Sequence, residues 1–248
     1  ALYRIAGLLL EVVYPSDLDR REILPSFEPF LVEANPEERI CAVLISFDEL
    51  PAAEDKGKLL SDVSLVWGEH FSFHDQKKAY LTTIGTEKDA GVCTMRSTKD
   101  FRQSLIYMPR EEQGAYNVLS WLIMIAFGQV CLQHKAILMH ASVVTCNEKG
   151  FAFLGKSGTG KSTHSQLWLT HVEASELLND DNPAVRLEDD GQAYIYGTPW
   201  SGKTSCYKNS RVPLQAFVRL KQASYNHIDL KSGMQAFVCV LPSCTAIR

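Results

Sequence analysis

From Phe151 to Thr163 the chain reads Phe-Ala-Phe-Leu-Gly-Lys-Ser-Gly-Thr-Gly-Lys-Ser-Thr. Gly155, four residues, then Gly160-Lys161-Ser162 satisfies the phosphate-binding pattern G-x-x-x-x-G-K-[ST]. Glycines let the backbone turn so that successive N–H groups point at phosphate oxygens. Lys161 supplies a cation suited to β- and γ-phosphates, and the Ser162 hydroxyl suits Mg²⁺. A helix starting near Lys161 would aim its positive end at the same place. The plainer reading is a Gly/Ser surface turn, but the apolar run Phe151–Leu154 before it and the helical stretch Thr163–Val172 after it favour phosphate. The residues expected around a nucleotide are Gly155, Lys156, Ser157, Gly158, Thr159, Gly160, Lys161, Ser162 and Thr163.

A triphosphate site also needs a carboxylate for its Mg²⁺, commonly where a short apolar strand ends. Leu177-Leu178 followed by Asn179-Asp180-Asp181 offers one, 18 residues beyond Ser162. Adjacent carboxylates repel each other, which suits one of them to act as a general base. Asp-Asp-Asn-Pro is also good turn chemistry. The spacing decides for function, since a helix of about ten residues and a connector return the chain to the loop. Asp189-Asp190-Gly191, by contrast, is a plain hairpin turn.

Three further candidates are less determined. His140 lies in the apolar stretch Lys135–Thr145, either as a core histidine or as an imidazole beside the phosphates. Lys203, in Tyr194-Ile-Tyr-Gly-Thr-Pro-Trp-Ser-Gly-Lys-Thr204, can neutralise phosphoryl charge or merely belong to a turn anchored by Trp200; Arg211 is a weaker candidate for the same role. His70 and His74 stand four apart on an alternating strand pattern with nothing nearby to complete a metal site.

The elements that position these residues follow from patterning. The chain has 248 residues, 46% hydrophobic and 22% charged, enough for a real core in one large or two modest domains. A net charge of −4 without a Lys/Arg run speaks against nucleic acid. Seven cysteines with no C-x-x-C suit a reducing, cytoplasmic setting, and no signal peptide is evident. The apolar run Val118–Phe127 is short for a bilayer and predicts a buried helix over about 113–133. Residues 1–112 predict a β-rich, mostly antiparallel region, irregular over the proline-bearing 16–36. Leu214–Leu220 predicts a strand, and Met234–Leu241 an apolar segment, most simply core. The ending at Arg248, straight after an apolar stretch, suggests that further residues follow.

Gly155–Ser162, Leu177–Asp181 and the His140-Ala strand together resemble the catalytic domain of HPr kinase/phosphorylase, and are similar to the ATP-dependent phosphoenolpyruvate carboxykinases that share its fold. The resemblance covers about residues 113–248. It implies an α/β P-loop domain with a mixed sheet, binding ATP and Mg²⁺. Lys161 would hold β/γ-phosphates, Ser162 and Asp181 would hold the metal, and Asp180 or Asp181 would activate an acceptor hydroxyl. Thr163 stands where HPr kinases usually carry Glu, and their downstream Arg-Gly signature is replaced by Tyr194–Thr204, so the HPr protein is not assigned as acceptor. The expected function is an ATP-dependent kinase acting on a protein serine or a small molecule, with a homo-oligomer admitted and no membrane partner. The alternatives are a carboxykinase-like reaction and a non-catalytic ATP-binding regulator.

Overall fold

The computed structural model describes residues 1–48, 57–64, 69–86, 92–110, 115–202 and 204–245. They form two compact units, Ala1–Val130 and Cys131–Arg248. Both are built on mixed sheets, and the first is the β-rich region expected from the sequence. The units divide at the end of the long apolar helix rather than before it, as a boundary at 112/113 would have it.

In the first unit the strands are β1 (Leu2–Ile5), β2 (Leu8–Val13), β3 (Cys41–Ser46), β4 (Lys58–Ser64), β5 (Glu69–Asp75), β6 (Ala79–Thr86), β7 (Cys93–Thr98) and β8 (Gln103–Tyr107). Their order is β1-β2-β3-β8-β7-β6-β5-β4. Period-two patterning sets the buried face: in β3, Cys41, Val43 and Ile45 are buried while Leu44 faces out. Pairing is less antiparallel than the sequence suggested, because β2–β3 and β3–β8 are parallel. The proline-bearing stretch is not merely irregular. It forms a short helix α1 (Arg20–Ile23) and a 3-10 turn that bury Phe27 and Phe30.

The apolar helix is α2 (Ala115–Cys131). With its continuation to His134 it is long and apolar enough by composition to cross a membrane, longer than the ten-residue run suggested. Its residues Leu119, Leu122, Ile123, Ala126, Phe127 and Val130 are buried within the protein, at the spacing of one helix face.

The second unit contains β9 (Ala136–Leu138), β10 (Ala141–Cys146), β11 (Lys149–Leu154), α3 (Lys161–His171), β12 (Ser175–Asp181), β13 (Ala184–Leu187), β14 (Ala193–Tyr196), β15 (Arg211–Arg219) and α4 (Gly233–Val240). The sheet order is β12-β10-β11-β15-β14-β13-β9. The single strand expected over Lys135–Thr145 is two strands, broken at Met139-His140. Leu138 pairs with Ala184 and Ala141 with Asp181, so β9–β10 runs against β12–β13 in one continuous register. Yet β10 continues into the β11 side of the sheet and β9 forms its far edge. The nine-residue β15 joins the halves, pairing with β14 through Arg211–Pro213 and with β11 from Leu214 onward. Met139, Ala141, Val143, Ala152, Leu154, Leu178 and Ile195 form the core on one face. On the other, Phe151 and Phe153 pack against Trp168 of α3.

Met234–Leu241, expected in the core, instead lies in α4 and the turn after it, with Val240 against the core and Met234, Phe237 and Val238 exposed.

Candidate active site

Leu154, Ala141 and Asp181 form one cross-strand row. The residues just beyond that row, Gly155 and His140, therefore emerge at the same sheet edge as Asp181. The turn after Leu154 is shaped by Gly158 (φ +78°) and Gly160 (φ +103°), left-handed conformations that a side chain would strain. Within it Thr159 donates from N and from Oγ1 to the Lys156 carbonyl, at 3.1 and 2.7 Å. Gly160 then caps α3, and His164 N closes the first helical turn on the Gly160 carbonyl at 2.8 Å. As at any helix start, the N–H groups of the first turn lack intrahelical acceptors and point out of the helix end. Lys156, Ser157, Ser162 and Thr163 are exposed around that mouth.

Two serines dock α3 against the sheet. Ser142 and Asp180 are cross-strand partners. Ser165 Oγ lies 2.6 Å from Ser142 Oγ in the buried interior, and Ser162 Oγ, three residues earlier on the same helix face, donates to Asp180 Oδ1 at 3.0 Å. Phe153 packs edge-on against His164 from the same side.

Lys161 folds back over the turn. Its Nζ donates to the Gly155 carbonyl at 3.0 Å and lies 2.8 Å from His140 Nε2. His140 Nδ1 is 3.0 Å from Asp181 Oδ1. An ammonium group donates only, so Nε2 is the acceptor and the imidazole proton sits on Nδ1, facing the carboxylate. Burial pushes the Lys161 pKa below its ordinary value, opposed by the attraction of Asp181 and Asp180.

The sequence candidates Lys161, Ser162, His140, Asp180 and Asp181 thus meet at one point. The aspartates separate by strand alternation: Asp180, buried, faces the helix hydroxyl, and Asp181, half-buried, faces the imidazole. Ser162 is against Asp180, not the Asp181 expected to share a metal with it. Ser162 Oγ and the Asp180 carboxylate are a hard oxygen set of the kind Mg²⁺ takes. Among the described residues no group of three or more His, Cys, Asp or Glu is gathered for a metal. His70 instead pairs with Asp62 at 2.6 Å.

The segment after β14 forms a wall of the site. Gly202 N donates to the Asp180 carbonyl and Asn182 N to that of Trp200, at 3.0 and 3.2 Å. A Cβ on Gly202 would stand 2.9 Å from that Asp180 oxygen, so glycine is needed for the approach. Thr198 and Trp200 are buried anchors rather than pocket-lining groups. Lys203 lies outside the described residues. Arg211 is engaged elsewhere, bonded to Glu188 and Tyr196 and stacked 4.4 Å over Tyr194.

Sequence reasoning missed Asn179. Fully buried, its Nδ2 is 3.3 Å from the Thr198 carbonyl, Thr198 Oγ1 and the Trp200 carbonyl, while its Oδ1 accepts from Asp181 N at 3.1 Å. One amide therefore holds both the aspartate backbone and the wall. The only signal was an amide directly after the apolar pair Leu177-Leu178 and before the two aspartates. In comparisons with known proteins, no family model and no curated protein matches this chain.

Proposed function

We propose that this protein is an ATP-dependent phosphotransferase acting on a hydroxyl acceptor, with the glycine-rich turn serving as a P-loop. The observation that carries the reading is the convergence of Lys161, His140 and Asp181 in one hydrogen-bonded chain at the mouth of that turn. Lys161 and the first-turn N–H groups of α3 bind the β- and γ-phosphates. Ser162 and Asp180 would hold Mg²⁺, which supplies charge neutralisation at the phosphates. Asp181 takes the proton of the acceptor hydroxyl as its oxygen bonds to the γ-phosphorus and the bond to the β-phosphate oxygen breaks. The His140 Nδ1–H holds that carboxylate in place. Ser201 and Gly202 would form the acceptor side.

Transfer of labelled γ-phosphate from Mg²⁺-ATP into a lysate and a metabolite pool tests this. Label incorporation by the wild type, lost in Lys161→Ala and Asp181→Asn, is expected. Equal turnover by both variants and the wild type would remove these residues from the chemistry. Tight ATP binding without transfer to any acceptor or to water would make the protein a nucleotide-binding regulator.

A further inference from the structure

α4 is apolar on both sides. Val240 and, just beyond it, Cys244 pack on the core of the second unit. On the outer side Met234, Phe237 and Val238, spaced as one helix face, are 74%, 56% and 59% exposed. The extended stretch leading into the helix adds Ile228 and Leu230, both 97% exposed. A helix apolar all round is normally covered. These five side chains expose on the order of 600 Å², near the roughly 800 Å² that each partner gives a standard interface and beyond scattered surface apolarity.

From the uncharged face we infer that α4 pairs with α4 of a second copy of this chain across a two-fold axis. Ser232–Ser243 contains no charged residue, so two identical copies can meet without placing like charges together. Asp229 is already engaged, ion-paired with Lys231 at 3.3 Å and in contact with His227 Nε2 at 2.9 Å. A lipid surface is the poorer fit, because the helix has no Lys/Arg on any face. Phe237, mid-helix, lies near the axis. The 3-10 turn after α4 (Leu241–Ser243) ends on Ser243, whose carbonyl accepts from His140 N at 2.7 Å. The paired surface is thereby tied to the backbone of the site, yet it stands independently of the nucleotide reading.

Sedimentation equilibrium of the full chain at micromolar concentration tests the pairing. The wild type is expected at twice its chain mass. Phe237→Glu and Phe237→Lys, each checked for native circular dichroism, should self-associate at least ten-fold more weakly, and an equimolar mixture of the two should recover association. Met234→Glu, at the most exposed of the three positions on this helix face, carries the same test should the Phe237 variants unfold. A monomeric wild type, with or without vesicle binding, or charge variants that associate like the wild type, would overturn the inference.

Discussion

His140 bridges Lys161 and Asp181, with Nε2 2.8 Å from the ammonium and Nδ1 3.0 Å from the carboxylate. This geometry follows from the break in the long strand pair at Met139-His140. Had Lys135–Thr145 run on as one strand with one set of neighbours, His140 would not leave the sheet beside Gly155. The bridge fixes the imidazole tautomer and, on the proposed function, gives Lys161 a partner to exchange for phosphate oxygens.

Removing the bridge should affect turnover more than binding. His140→Ala is expected to lower kcat roughly 10²-fold with a small change in KM. His140→Asn, whose amide N–H can still reach Asp181, should retain part of the rate. Steady-state kinetics of the two variants check this, and wild-type kcat in His140→Ala would contradict it.

Asn179→Ala removes the buried Nδ2 donor shared by the Thr198 carbonyl, Thr198 Oγ1 and the Trp200 carbonyl, the last of which keeps its bond from Asn182 N, and removes the Oδ1 acceptor of Asp181 N. A loss of about 1–3 kcal/mol is expected, the cost of a buried polar group losing its partner. Thermal unfolding of Asn179→Ala, Thr198→Val and the double variant should show non-additivity, because both residues belong to one network. Additive losses would show that the network is not a unit.

The pair Glu188–Arg211 predicts a pH dependence away from the site. Hydrogen bonds from Arg211 and Tyr196 hold the Glu188 pKa below its ordinary 4.5. A carboxylate depressed in the folded state contributes stability that is present above its unfolded pKa and lost as pH falls through the folded value. Glu188→Gln should therefore be less stable than the wild type at pH 7, by below about 1 kcal/mol because the pair is partly exposed. The difference should fade as pH drops below 4.5. Denaturant midpoints across that range check it, and a constant difference would assign the effect to packing.

Local features were legible in the sequence. Gly158 and Gly160 need left-handed backbone, the helix after the loop needs a cap, and Asp189-Asp190-Gly191 needs a hairpin; nearest neighbours set all three. Partner choice was not legible. An apolar stretch reads the same whether a strand keeps its neighbours or changes them at His140. Which aspartate faces Ser162 depends on the β10–β12 register, set by residues some forty positions apart. Nothing local marked Asn179, because the groups its side-chain N–H meets belong to Thr198 and Trp200, about twenty residues away. α4 looked like core because composition counts apolar residues without saying whether anything covers them.

The proposed phosphotransfer requires Lys161 and the glycine-rich loop to bind a triphosphate. Calorimetric titration of ATP, with and without Mg²⁺, into the wild type and Lys161→Ala tests that most directly. Mg²⁺-dependent binding by the wild type is expected, with affinity at least about ten-fold weaker in Lys161→Ala, the loss of one charge-assisted contact of about 1.5–3 kcal/mol. Equal affinity in both proteins, or no binding by either, would contradict it.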